Sequence, residues 1–277
     1  MSRTSLKPSV SKLREAILKG IAGKLEKYGF DENGVVVTEK PLSEYDEEIR
    51  KSVVAFFEAE NVNDKDLYVE YIHSTARTFL HILTCFKLME KRGIMSSLLG
   101  KIIDKDIYNE IIPDFASINP LAFDEFSEKY RNEITELMEK DSYEEPEEYY
   151  QFLYLFALLT DSMAQEMPLL FKDYEHNLVQ PDYDDLKIIL KLIGEIDDSE
   201  YAEDDFLGWI YQYWVDTEDF ELKEAENNKS ISFANQIYFE VLNALDKEQT
   251  EFGEFYTPRW VVKHIVDKCI SMYLQNE

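Results

Sequence analysis

The chain has 277 residues, 45% of them hydrophobic and 31% charged, which is enough to close one or two cores. Its formal net charge of −28 argues against a body that grips nucleic-acid phosphates over most of its surface. No apolar run approaches the ~18 residues of a membrane span, and Met1 to Lys7 lacks the apolar stretch of a secretory signal, so a cytoplasmic protein with no membrane partner is expected. Cys85 and Cys269 both fall in helical apolar patterns, which favours buried free thiols over a disulfide. The charge is uneven: residues 1–30 hold seven Lys or Arg against two Glu, a net of +5, which leaves −33 on the remainder.

Apolar residues recur at three- and four-residue steps nearly throughout, and glycines and prolines are sparse, at nine and eight. A first helix is predicted from near Ser9 or Ser11, burying Val10, Leu13, Ile17, Ile21 and Leu25. Lys12, Arg14, Lys19, Lys24 and Lys27 are expected on its other sides. They form either a solvated face or a basic arm that touches nucleic acid or the acidic body of the protein. Residues 31–41 form a connector in which Val35, Val36 and Val37 make a short extended piece. A helix follows from about Ser43. The longest helical pattern, about Asp64 to Arg92, stops at Gly93 and is expected to be the spine of the N-terminal domain.

Shorter helices broken by Pro113 and Pro120 lie between Met95 and Asn132. An acidic hinge at residues 141–148 precedes a very apolar helix from Tyr149 to Met163. A helix from Tyr183 to Ile193 leads to a second acid cluster, Glu195 through Asp205, and then to a Gly-Trp helix ending near Trp214. Polar Thr217 to Lys229 is predicted to be a mobile linker. A helix from Ile231 to Leu245 then delivers the chain to Gly253.

Few constellations carry chemistry. Glu70 and His73 share a helix face at the spacing used in di-iron bundles, but such a centre needs two pairs and two further glutamates. Glu70, His73 and Arg77 stand at helical steps, either as a buried polar contact or as a paired surface set. The cluster Trp209, Tyr211, Tyr213 and Trp214 reads as core or interface anchors, or alternatively as a base-stacking platform. No Gly-x-Ser-x-Gly elbow, Gly-x-Gly loop or adjacent proline pair occurs.

Near the C-terminus, Gly253-Glu254-Phe255-Tyr256-Thr257-Pro258-Arg259-Trp260-Val261-Val262 reads as a helix start. Thr257 is the N-cap and Pro258 the first helical residue, followed by an apolar face of Val261, Val262, Ile265, Cys269, Met272 and Tyr273. This segment resembles the one that precedes the catalytic core of N6-adenine DNA methyltransferases. The nearest likeness is to the PglX-type enzymes of BREX phage defence and to fused restriction-modification enzymes. Phe206-Leu207-Gly208-Trp209-Ile210-Tyr211-Gln212-Tyr213-Trp214 is similar to a second segment of the same proteins, and the helix from Arg77 to Gly93 to a third.

The resemblance implies that Phe255, Tyr256, Thr257 and Pro258 line an S-adenosylmethionine pocket. It also implies that the parent enzyme acts on double-stranded DNA, with other defence-system subunits as further partners. The Gly-rich cofactor loop and the Asn-Pro-Pro-Tyr-type loop that holds a flipped adenine are absent from these residues, so no methylation by this chain alone is expected. The expected architecture is all-α, an irregular multi-helix array over residues 1–247 with a possible sub-boundary near 141–148. Residues 248–277 are then the leading edge of a truncated α/β methyltransferase domain. The alternative is a free-standing acidic helical module that imitates the charge of DNA and binds a basic partner.

Overall fold

A computed structural model describes residues 6–36, 41–59, 65–94, 179–229 and 231–252, with 145, 146, 149, 150, 152, 153, 156, 157, 160, 161 and 164 between them. Among these the fold is all-α. The helices are α1 (Leu6–Lys27), α2 (Glu44–Ala59), α3 (Lys65–Lys91), α4 (Tyr183–Gly194), α5 (Asp198–Tyr201), α6 (Phe206–Val215), α7 (Asp219–Asn228) and α8 (Phe233–Phe252). The extended pairing among the described residues is one antiparallel bridge between Phe30, just before the predicted connector, and Val36 within it.

The centre of the array is α1, which packs against α8, α4, α3 and α6. The longest helix, α3, had been expected there. The reason lies in the distribution of apolar residues on α1. Val10, Leu13, Ile17 and Ile21 make the predicted stripe, while Leu18, Ala22 and Leu25 make a second one beside it, all 0% exposed. Two stripes cover about half of a helix, so α1 buries surface in several directions at once. Gly20 lets α4 approach: a Cβ there would stand 3.0 Å from the Cβ of Pro181.

α3 ends as predicted at Gly93, whose φ of 67° is left-handed. The Ile94 N–H donates to Met89 and the Gly93 N–H to Glu90, a Schellman closure that satisfies two of the last carbonyls. α8 begins at Phe233 rather than Ile231 because Ser232 caps it, its hydroxyl accepting the Asn235 N–H at 3.2 Å. The segment read as a mobile linker is instead α7. Glu218 and Glu221 form a reciprocal capping box that starts the helix.

An aromatic layer closes the end of the array where α2 meets α3. Phe30, Phe57 and Tyr68 lie within 5.8–6.2 Å of one another, and Phe56 and Phe57 each stand 5.3 Å from Tyr71. Gly34 carries the connector over this layer at a φ of +77°, and a Cβ there would meet the Tyr68 ring at 2.9 Å. Strained backbone and steric clash therefore act together at Gly34. Gly34→Ala is expected to lower the unfolding free energy by about 1–3 kcal/mol, measured by urea denaturation. An unchanged midpoint would show that Tyr68 can move aside.

Candidate functional site

Along α6, Phe206, Ile210 and Trp214 recur at four-residue steps and are each at most 1% exposed. Complete burial of Trp214 leaves an indole N–H in need of an acceptor. His73 on α3 supplies it. The indole donates to Nε2 of His73 at 2.9 Å, and the two rings stack with centroids 6.1 Å apart. An accepting Nε2 places the proton of the neutral ring on Nδ1. Burial, then the charges of Arg77 and Arg14, lower the His73 pKa to about 3. The ring is therefore neutral near pH 7 and holds the tryptophan rather than shuttling protons.

The last turn of α6 presents carbonyls without helical partners. Arg14 of α1 fills that place. Its Nη1 donates to the carbonyl of Trp214 at 2.6 Å and to those of Tyr213 and Asp216 at 3.3 Å. Its Nη2 donates to both carboxylate oxygens of Glu221 at 2.9 Å. The Arg14 side chain is 0% exposed and that of Glu221 14%. Lys7, two turns earlier on α1, reaches Asp216 at 2.8 Å and Glu218 at 3.1 Å. The end of α6, the turn after it and the start of α7 are thus fastened to α1 by two cations.

A second junction lies at the other end of α1. Lys24, with its side chain 2% exposed, contacts Asp46 at 3.1 Å and Asp182 at 2.7 Å. The rings of Tyr28 and Tyr149 lie 5.4 and 5.9 Å from its nitrogen. Burial alone would raise the Asp182 pKa, but Lys24 and Lys27 outweigh it and hold this carboxyl below its ordinary range. Burial and the Asp182 charge push Glu145 the other way. Of the two readings of the basic residues on α1, contact with the acidic body holds for Lys7, Arg14, Lys24 and Lys27.

The remaining chemical candidates reduce to packing. Tyr211 hydrogen-bonds Nδ1 of His81 and stacks on its ring. Cys85 lies 3.8 Å from the same imidazole, but burial pushes its thiol up to about 12, far from a reactive thiolate. Glu70 and Arg77 are exposed while His73 is buried, so the three do not converge. Among the described residues, no three His, Cys, Asp or Glu side chains are grouped to hold a metal ion. No helix among them is long and apolar enough to cross a membrane.

Phe255, Tyr256, Thr257 and Pro258 lie outside the described residues. In the aromatic segment, Trp214 is interior and closed to any stacking ligand, while Trp209 and Tyr213 are half-buried and lie 5.6 Å apart. Arg14, expected on a side of the first helix away from its buried stripe, is instead fully buried. The usable signal was its place between Val10 and Ile17, inside the apolar stripe rather than opposite it. Comparison with known proteins finds no matching family model, curated protein or solved structure.

Three outcomes are expected. Arg14→Ala strands Glu221 and the α6 carbonyls and lowers the unfolding free energy by about 3–5 kcal/mol. Glu221→Gln leaves the guanidinium its three carbonyl acceptors and costs about 1–3 kcal/mol; equal losses in urea melts would refute this division of roles. His73 has a depressed folded pKa, so its contribution is complete above pH 6.5 and falls away as pH drops toward 3. Relative to His73→Gln, the wild type should therefore lose about 2 kcal/mol between pH 7 and pH 5. The carboxylates are common to both proteins and cancel, so parallel pH profiles would contradict a neutral buried His73.

Proposed function

We propose that this chain is the helical N-terminal region of a site-specific N6-adenine DNA methyltransferase of a phage-defence or restriction system, bracing one edge of its S-adenosylmethionine pocket. What carries this reading is the amino-acid sequence of Gly253 to Val262, in which Thr257-Pro258 reads as a helix start, following α8 in the chain. Further support comes from the anchoring of α8, whose Ile237, Val241, Leu242 and Leu245 are at most 1% exposed. In this reading the second segment similar to the family, Phe206–Trp214, is interior scaffold. Arg14 and His73 hold it in register with α1 and α3. DNA is held elsewhere in the enzyme, because Lys7, Arg14 and Lys24 are committed to internal carboxylates.

The second reading, an acidic module for a basic partner, is favoured by the same internal use of cations. It leaves Glu195, Asp197, Asp198, Glu203 and Asp204 exposed along one stretch of surface. The two readings separate on the rest of the polypeptide. The first requires a Gly-containing cofactor loop and an Asn-Pro-Pro-Tyr-type loop, and the second does not.

The test is calorimetric titration of S-adenosylmethionine into the full-length gene product. Thr257→Val combined with Pro258→Ala should weaken binding about tenfold or more, with the far-UV circular dichroism unchanged. Undiminished affinity would remove Phe255–Pro258 from the pocket, and absence of cofactor binding by the intact protein would remove the methyltransferase reading.

A further inference from the structure

We propose that the groove between α1, α7 and α8 docks a short peptide segment of a partner protein, in which one large apolar side chain is flanked by a carboxylate and a cation. The groove has a volume of about 350 Å³, at the lower end of ligand-sized clefts, which suits one anchor side chain and its neighbours. Its apolar surfaces come from Ala225, Tyr238 and Phe220. Phe220 is 68% exposed, an unusual state for a phenylalanine, while the other apolar residues of α7, Leu222 and Ala225, pack inward. Aromatic side chains, phenylalanine among them, are enriched at protein interfaces relative to the rest of the surface.

The charges lining the groove narrow the choice of partner. Five of its ionic side chains are already engaged: Lys7 with Glu218, Lys19 with Glu15, and Glu221 with Arg14. Lys12 on the α1 side and Glu224 on the α7 side line the same groove, and among the described residues neither side chain has an ion-pair partner. One free charge of each sign, on opposite walls, complements a segment that carries both signs. It disfavours a phosphate chain, which Glu224 would repel. Asn228 and Asn235 also line the groove, and each carboxamide offers both a donor and an acceptor, the pair of functions a peptide bond requires.

The acidic wall is held in place before any partner arrives. Arg14 clamps Glu221 and Lys7 clamps Glu218, so α7 is fixed against α1 and little ordering cost remains for binding. This inference does not depend on the methyltransferase reading, because none of the groove residues belongs to the proposed cofactor segment.

The experiment selects short random peptides displayed on phage against the full chain and measures the enriched sequences by fluorescence anisotropy. Enrichment of an aromatic or branched aliphatic residue flanked by one acidic and one basic residue is the expected result. Phe220→Ala should weaken binding about tenfold or more. Lys12→Glu should weaken it too and be rescued by a peptide whose acidic residue is changed to lysine. Both positions are well exposed, so the thermal midpoints should match the wild type. The proposal is overturned if no peptide is enriched, if the enriched peptides bind both variants as well as wild type, or if they are merely polybasic and lack an anchor.

Discussion

The structure depends on one buried guanidinium. Arg14 stands at the middle of α1, wholly enclosed, and the two terminal nitrogens of its guanidinium face the end of one helix and the start of another. A buried cation costs several kcal/mol to desolvate unless its hydrogen bonds are made. Here three main-chain carbonyls accept from Nη1 and a bidentate carboxylate from Nη2, while the buried Nε is left without a partner among the described residues. The arrangement is selective because the acceptors are backbone atoms. They exist at the required positions when α6 has ended at Val215 and the chain has turned toward α7. A hydrophobic residue at position 14 would bury well but would not specify where α6 stops.

The same logic explains how a chain of net charge −28 tolerates compaction. Self-repulsion in so acidic a protein opposes folding. The N-terminal helix concentrates the positive charge, and placing that helix at the centre brings carboxylates from four separate places in the chain against it. Asp46 lies in the first turn of α2, Glu145 lies midway along the chain, Asp182 immediately precedes α4, and Asp216 with Glu221 flanks the start of α7. Each contact is non-local, so the electrostatics stabilise tertiary arrangement rather than individual helices.

Helices whose apolar residues lie on one face were legible from the sequence. α3 and α4 fall within about a turn of their predicted bounds, since Gly93 and the Pro181-Asp182 start give plain punctuation. Two features escaped. The central place of α1 was hidden because Arg14 and Lys24 count as polar in any periodicity pattern, although their carboxylate partners allow them to be buried. α7 was hidden because composition suggested a linker, while the Glu218–Glu221 capping box that starts the helix is a positional signal, not a compositional one. The Glu70, His73, Arg77 set was half legible: the helical step is real, but the partner of His73 is Trp214, 141 residues away, and no local pattern reveals it.

α8 brings these constraints to bear on function. A helix of 20 residues is about 30 Å long, so a tilt of ~10° at its base displaces its tip by about 5 Å. Catalytic and cofactor constellations tolerate about 0.5 Å. Any segment that follows α8 and contributes to a pocket therefore needs the helix fixed along its length, not only at its start. α8 meets that need by packing on α1, α7 and α3 together. Its buried ridge, Ile237, Val241, Leu242 and Leu245, covers its middle turns. Arg14 fixes α7, α7 flanks α8, and α8 leads to Gly253. An interaction near residue 14 thereby acts, through α7, on the helix that carries the chain to residue 252, a path that the proposed bracing role requires.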